Sequence, residues 1–184
     1  MKEALFYTKL VGGKVRCQLC PRRCFINPDQ TGLCGVRKNT GGKLHSLVYG
    51  RPCSMSVDPI EKKPIFHFIP GIKAFSIATV GCNLFCKFCQ NFEISRPATI
   101  FGQEKAPEEI VRLAIESGAN SIAYTYTEPT VFYEYALDVM KLAKKAGLKN
   151  VWVSNGYTNI APIRKMAKFL DVVNIDIKGG EEAY

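Results

Sequence analysis

Three cysteines on one short segment carry the clearest chemical signal in the chain. Cys82, Cys86 and Cys89 stand in a Cys-x3-Cys-x2-Cys spacing, with an aromatic residue, Phe88, before the last of them. Thiolates are the usual protein ligands of iron–sulfur clusters, and three of them can hold three irons of a cubane [4Fe-4S] cluster. The fourth iron then has no protein ligand and can bind a small molecule that carries an amine and a carboxylate.

A structural zinc loop is the alternative for this segment. Tetrahedral zinc takes four ligands, and the nearby Asn83, Gln90 and Asn91 offer neither a thiolate nor an imidazole. The spacing therefore favours the cluster.

A second group of cysteines lies near the N-terminus. Cys17, Cys20, Cys24 and Cys34 are separated by gaps of two, three and nine residues, and four thiolates satisfy either Zn(II) or a second iron–sulfur cluster. Reduced thiols without a metal are the other interpretation. We expect a metal site here, and the sequence leaves its metal open.

The elements that position the three-cysteine segment follow an alternating pattern from residue 74 onward. Apolar runs predict strands at 74–80, 121–126, 149–154 and 171–177. Between them lie helical stripes, one opened by Pro107 and stopped near Gly118, the next opened by Pro129 and stopped by Gly147. Their apolar faces comprise Ile110, Val111, Ala114 and Ile115 in the first helix, Phe132, Tyr135, Ala136, Val139, Met140 and Ala143 in the second, and Ile163, Met166, Ala167 and Leu170 in a third. Strand and helix in alternation predict an α/β fold with a parallel sheet. Tyr124 and Tyr126 share one face of their predicted strand, and we expect this face to line a cavity.

Residues 1–73 have a different character, rich in Gly, Pro and Cys. Gly12-Gly13 and Gly41-Gly42 each separate short alternating segments, as hairpin turns do. We predict a Cys-rich β module over 1–73 and a core domain over 74–184. Because the chain stops seven residues after the fourth predicted strand, we expect a longer natural protein whose C-terminal part is missing.

Composition indicates an ordinary folded protein. The chain has 184 residues, 47% of them hydrophobic, and a net charge of +9, which argues against disorder or a fibrous structure. All eight cysteines lie between Cys17 and Cys89, so they do not form a framework of disulfides across the fold. With no apolar run long enough for a signal peptide or a membrane span, we expect a reduced, cytoplasmic protein without a membrane partner.

The three-cysteine segment, placed after the first core strand, resembles the signature of the radical S-adenosylmethionine (SAM) superfamily. The resemblance implies a partial (β/α)6 barrel, truncated here after its fourth strand, that binds a [4Fe-4S] cluster and SAM. It assigns Cys82, Cys86 and Cys89 as catalytic cluster ligands. The SAM-binding residues that it implies are Phe88 near the adenine, Thr127 and Glu128 at the methionine amine, Asn155 at the third strand, and Asp176 and Lys178 at the fourth, with Lys178 facing the carboxylate.

Further segments narrow the resemblance. The Cys17-to-Cys24 opening, the segment after Gly32 and the stretch Asp58-Pro59-Ile60-Glu61-Lys62-Lys63-Pro64 are similar to the radical SAM enzyme of the AmmeMemoRadiSam system, related to pyruvate formate-lyase activating enzyme. This resemblance implies that the protein abstracts hydrogen from an unidentified substrate, and activation of a glycyl-radical protein is one such reaction. It also implies an electron donor of flavodoxin or ferredoxin type. The alternative from another class is a zinc-stabilised basic module that binds nucleic acid or protein, although the basic residues are scattered, which does not favour nucleic acid.

Overall fold

A five-stranded sheet forms the centre of the computed structural model, which describes residues 1–180. In chain order the strands are β1 (Lys2–Glu3), β2 (Tyr7–Lys9), β3 (Val15–Cys17), β4 (Phe25–Ile26), β5 (Arg37–Thr40), β6 (Lys43–Ser46), β7 (Ser54–Pro59), β8 (Lys73–Ala78), β9 (Ser121–Tyr124), β10 (Lys149–Ser154) and β11 (Val172–Ile175). The central sheet has the order β11-β10-β9-β8-β7. The last residues of the predicted core range, 181–184, lie outside the described part.

The four predicted core strands are all present and parallel to one another, from β8 to β11. This confirms the α/β fold with a parallel sheet. The strand β7 was not predicted, and it pairs antiparallel with β8 along its whole length. Only two of its six residues, Met55 and Val57, are large and apolar, and it ends in Pro59, which suits an edge strand and gives little apolar signal. Although β7 belongs to the predicted range 1–73, it is therefore part of the core sheet, and the division at residue 73 stays a prediction.

The helices are α1 (Phe92–Ser95), α2 (Pro107–Glu116), α3 (Tyr133–Lys145) and α4 (Ile160–Ala167). Pro107 opens α2 as predicted, and Gly118 and Gly147 take positive φ angles just beyond the ends of α2 and α3. Pro129 opens a short 3-10 turn, Pro129–Phe132, which leads into α3. The six predicted core positions of the second helical stripe are all fully buried.

Two of the predicted helical stripes are only partly correct. Ile115 in α2 and Ile163 in α4 are 54% and 40% exposed, and Ala167 is also exposed. In α4 the buried positions are Pro162 and Met166. This helix precedes β11, which lies at the edge of the described sheet and is itself half-exposed, so little packs against the outer side of α4.

The two faces of the sheet bury different residues, as the twofold alternation of a strand requires. Ile77, Ile122 and Trp152 belong to the large core shared with the helices, whereas Ala123 and Val151 pack with Ile60 and Ile65 on the other face.

The prediction that Tyr124 lines a cavity together with Tyr126 is wrong for Tyr124. Tyr124 is fully buried in the large core, where its hydroxyl donates to Asn150 Oδ1 over 2.9 Å. Strand β9 ends at Tyr124, and Tyr126 has φ +66°. The strand alternation is therefore broken between the two tyrosines, and their side chains do not share a face.

The N-terminal part forms two small sheets, β1-β6-β5 and β2-β3-β4. The predicted turns are present: Gly12 and Gly13 connect β2 to β3, and Gly41 and Gly42 connect β5 to β6, all four with positive φ. Such angles are strained for residues with a Cβ, which explains the paired glycines.

A buried ion pair fastens these small sheets to the core domain. Arg37 of β5 donates from Nη1 and Nη2 to the two carboxylate oxygens of Glu134 in α3, over 2.7 and 3.0 Å. The backbone of Leu5 joins both partners, since its N–H donates to Glu134 and its carbonyl accepts from Arg37. Both side chains are almost completely buried, and this pairing of residues 97 positions apart was not predicted.

Candidate active site

All nine residues predicted to hold a cluster and its ligand line one cavity of about 710 Å³. The cavity lies where the parallel strands end, the usual ligand position in α/β folds. Cys82, Cys86, Phe88 and Cys89 follow β8, Thr127 and Glu128 follow β9, Asn155 follows β10, and Asp176 and Lys178 follow β11. The structure therefore brings these residues together, while their individual roles stay predictions.

Gly81, which lies between β8 and Cys82, occupies a position where any residue with a Cβ would be strained. Gly81 has φ +102°, and a Cβ there would lie 2.6 Å from Val36 Cγ1 and 3.0 Å from the carbonyl oxygen of Cys34. The start of the segment is thus packed tightly against the N-terminal part of the chain.

Two of the three thiols of the segment, those of Cys82 and Cys89, lie next to polar groups of the protein. The Cys82 sulfur accepts the backbone N–H of Leu84 over 3.5 Å, and Cys89 Sγ lies 3.3 Å from Ser95 Oγ. Burial raises the pKa of Cys82 to about 11, so without a metal this thiol is neutral at pH 7. Metal binding displaces the proton, and N–H or O–H groups directed at cluster ligands tune the potential. The donor set therefore fits a [4Fe-4S] cluster.

The thiols do not converge on a single ion. Within residues 1–180, no three His, Cys, Asp or Glu side chains are arranged to hold one metal ion. Thiolates on one tetrahedral zinc are about 3.8 Å apart, given Zn–S bonds near 2.3 Å. The cysteines of a cubane bind different irons and need not converge on one ion, so the arrangement around the large cavity agrees with a cluster.

Glu128 lies at the cavity but is already engaged by neighbouring groups of the protein. Its Oε1 accepts from the backbone N–H of Thr130 and from Ser154 Oγ, and its Oε2 accepts from the backbone N–H of Asn155. Burial raises the pKa of this carboxyl, against the lowering effect of these hydrogen bonds. In this structure Glu128 joins the ends of β9 and β10, and its predicted contact with an amine stays a prediction.

Asn83 and Asn91, to which the sequence assigned no role, connect the cysteine segment to the other strands. Asn155 Nδ2 donates to Asn83 Oδ1 over 2.9 Å, and Asn83 Nδ2 donates to the carbonyl of Tyr157 over 2.8 Å. Asn91 Nδ2 donates to the carbonyl of Tyr126 over 2.6 Å. The only available signal was that Asn83 lies within the Cys-x3-Cys-x2-Cys segment and Asn91 lies two residues beyond it, because their partners lie far along the chain.

The remaining predicted ligand residues differ in exposure. Lys178 Nζ lies 3.0 Å from Asp176 Oδ2, in a pair that is 35% and 42% exposed at its side chains. Thr127 Oγ1 donates to the carbonyl of Thr79. Phe88 is 70% exposed, so its ring is available to a ligand in the cavity.

The four N-terminal cysteines line a second, smaller cavity of about 20 Å³, together with Arg22, Arg37 and Asn83. Burial raises the pKa of Cys34 to about 12, and it also raises the pKa of Cys20. Asn83 lines this smaller cavity and accepts a hydrogen bond from Asn155, which lines the larger one, and Arg22 donates to the Asn83 carbonyl. The four-thiol group thus lies directly behind the cluster segment.

In the part of the chain that the structure describes, no helix has the length and apolar character needed to cross a lipid bilayer.

Comparison with known proteins gives a consistent result. Residues 76–184 match the family model described as "Radical SAM superfamily". The uncharacterized protein MJ0808 of Methanocaldococcus jannaschii is 46% identical over 186 residues, covering 100% of this chain and 55% of the relative. The mitochondrial GTP 3',8-cyclase of Arabidopsis thaliana is 28% identical over 158 residues, covering 77% of this chain and 38% of the relative.

Among solved structures, QueE from Escherichia coli superposes with a TM-score of 0.50 at 16% identity, covering 71% of this chain and 61% of that chain. At this identity the likeness concerns the fold alone. The chain spans about half the length, or less, of the curated relatives that it matches.

Proposed function

Because the chain belongs to the radical SAM superfamily, we propose that it cleaves SAM reductively at a [4Fe-4S] cluster and abstracts hydrogen from a substrate. When bound, the cluster supplies one electron to the sulfonium of SAM, which yields methionine and a 5'-deoxyadenosyl radical. The observation that carries the proposal is the single cavity that holds three thiols and the ends of four consecutive parallel strands.

The residues of the chain position and protect this chemistry. Cys82, Cys86 and Cys89 hold the cluster. Lys178 carries the positive charge for the SAM carboxylate, since a fixed cation is the best partner of an anion in a partly buried site. Phe88 offers an exposed ring for the adenine.

The test is anaerobic reconstitution with iron and sulfide, reduction with dithionite, addition of SAM and chromatography for 5'-deoxyadenosine. We expect product from the wild type and none from Cys82→Ala, Cys86→Ala or Cys89→Ala. Cys53→Ala is the matched control, because Cys53 is a free thiol outside both cysteine groups. Two outcomes would contradict the proposal. One is that Cys53→Ala loses the product while the three cluster-ligand variants keep it, and the other is that the wild type forms 5'-deoxyadenosine without a bound cluster.

For the substrate, we propose a role of the AmmeMemoRadiSam type, with activation of a glycyl-radical protein as the reaction and a flavodoxin or ferredoxin as the electron donor. The support is the presence of Asn155, Asp176 and Lys178 at the cavity, in segments similar to those of activating enzymes. Electron paramagnetic resonance of a candidate partner after incubation with reduced enzyme and SAM tests this. A glycyl-radical doublet supports the role, and its absence with an otherwise active enzyme opposes it.

For the four N-terminal cysteines we propose a zinc ion. A cavity of about 20 Å³ has room for about one water-sized sphere and not for a cubane, and binding would draw the thiols inward. Metal analysis of the protein with Cys82, Cys86 and Cys89 all replaced by Ala separates the possibilities. Zinc near one per chain agrees with the proposal, iron with sulfide indicates a second cluster, and neither metal indicates idle thiols.

A further inference from the structure

A group of charged side chains that the proposed SAM chemistry does not use lies in the same cavity. Asp58 of β7 is 4% exposed, and its carboxylate accepts hydrogen bonds from Lys62 Nζ over 2.7 Å and from Lys63 Nζ over 2.8 Å. Ser76 and Tyr126 donate to the same carboxylate over 3.0 and 2.6 Å. Lys62, Lys63 and Tyr126 belong to the cavity lining.

This arrangement places one surplus positive charge at the cavity. In the described part of the chain, Asp58 is the only carboxylate paired with either lysine, so two ammonium groups share one anion. Oδ2 of Asp58 accepts from Lys63, Ser76 and Tyr126, and Oδ1 accepts from Lys62. Burial by itself would raise the pKa of Asp58, but the hydrogen bonds from Lys62, Lys63 and Tyr126 hold it well below its usual range, so Asp58 is an anion at neutral pH. Burial lowers the pKa of Lys63, and its hydrogen bond to Asp58 opposes this effect.

The other acidic residues of the lining do not neutralise this surplus. Asp176 is paired with Lys178. Glu128 directs its carboxylate to Thr130, Ser154 and Asn155. Neither carboxylate contacts Lys62 or Lys63 within residues 1–180.

The charged group is also connected to the cysteine segment. Tyr126 accepts the amide of Asn91 at its backbone carbonyl and donates from its hydroxyl to Asp58. Its φ of +66° is unfavourable for a tyrosine, and strained backbone persists where surrounding contacts hold it. Lys63 Nζ lies 4.6 Å from the centre of the Tyr126 ring. One residue therefore spans the space between the proposed cluster and the lysine pair.

We propose that Lys62 and Lys63 bind an anionic oxygen group, a carboxylate or a phosphate, of the substrate from which hydrogen is abstracted. The inference rests on the proposed function, because it assigns the lysine pair to the substrate and not to SAM. Lys62, whose side chain is 63% exposed, makes the direct contact. Lys63, almost fully buried, adds its charge and, with Asp58, holds the position of the pair.

The test is isothermal titration calorimetry of the intact reconstituted protein with inorganic phosphate in one arm and acetate in the other, at saturating S-adenosylhomocysteine. We compare the wild type with Lys62→Gln and Lys63→Gln, and use Lys145→Gln as the control because it removes one positive charge from the exposed end of α3. We expect Lys62→Gln to weaken anion binding about tenfold or more, as loss of a charge-assisted hydrogen bond does. The control should bind like the wild type.

The outcomes separate this inference from the proposed function. The titration involves no turnover, so it is independent of whether 5'-deoxyadenosine is formed. Tighter binding of phosphate or of acetate identifies the anion. If Lys62→Gln binds each anion with the same affinity as the wild type and Lys145→Gln do, the inference is overturned. If Lys63→Gln fails to fold, as its circular dichroism would reveal, Lys62→Gln alone decides the question.

Discussion

The buried pair of Arg37 and Glu134 allows a quantitative prediction for how the N-terminal part is held to the core. In Glu134→Gln, the side chain keeps its shape but loses its charge, and its amide nitrogen is placed against an Arg37 N–H, donor to donor. Arg37 then remains buried as an unpaired cation. Breaking a buried ion pair by changing one partner costs about 3–5 kcal/mol, which corresponds to a fall in Tm of about 6–20 °C for a chain of this size.

The measurement is urea unfolding followed by circular dichroism, with all variants at the same metal content. Glu104→Gln is the matched control, because Glu104 is exposed, and we expect it to stay within about 0.5 kcal/mol of the wild type. A double variant, Arg37→Met with Glu134→Leu, should recover part of the loss, since it removes both charges but leaves the N–H and carbonyl of Leu5 without these partners. A Glu134→Gln protein as stable as Glu104→Gln would refute the reasoning.

Three further predictions concern the cavity and its approach. The pKa of Asp58 is lowered in the folded protein, so its contribution to stability is present above about pH 4 and is lost as the pH falls further. Urea unfolding should therefore show that the unfolding free energy falls less between pH 5 and pH 3 in Asp58→Asn than in the wild type. Gly81→Ala should destabilise the protein by about 1–3 kcal/mol more than Gly118→Ala in thermal unfolding, because both glycines have positive φ but only Gly81 has close neighbours; equal losses would contradict the packing argument. Glu128→Gln should lower the unfolding free energy by about 1–3 kcal/mol, since an amide cannot accept all three hydrogen bonds, and an unchanged value would mean that these bonds contribute nothing.

The core sheet was predictable because its strands and helices have periodic apolar patterns. The carboxyl ends of parallel strands meet at one edge, so residues that follow four strands were bound to approach each other once the sheet was correct. This is why Cys82, Glu128, Asn155 and Lys178 could be expected at one site although they lie far apart in the chain.

The features that the sequence did not reveal depend on partners distant along the chain. Asn83 meets Asn155 at a separation of 72 residues, and Tyr126 meets Asp58 at a separation of 68. An asparagine or an aspartate in a polar segment gives no periodic signal, and its role becomes visible only when its partner is in place. The same holds for β7, whose polar residues and terminal proline do not resemble a core strand.

Strand β7 sets a lower limit on how far the barrel can be shortened from its N-terminal side. A protein that began at residue 74 would expose the unpaired backbone groups of β8, and exposed strand edges of this kind promote association between chains. It would also lose Lys62 and Lys63 from the cavity lining, together with the Asp58 carboxylate that pairs with them. Any shortened version of the core domain should therefore begin before Ser54, so that β8 keeps its partner strand and the cavity keeps this part of its wall.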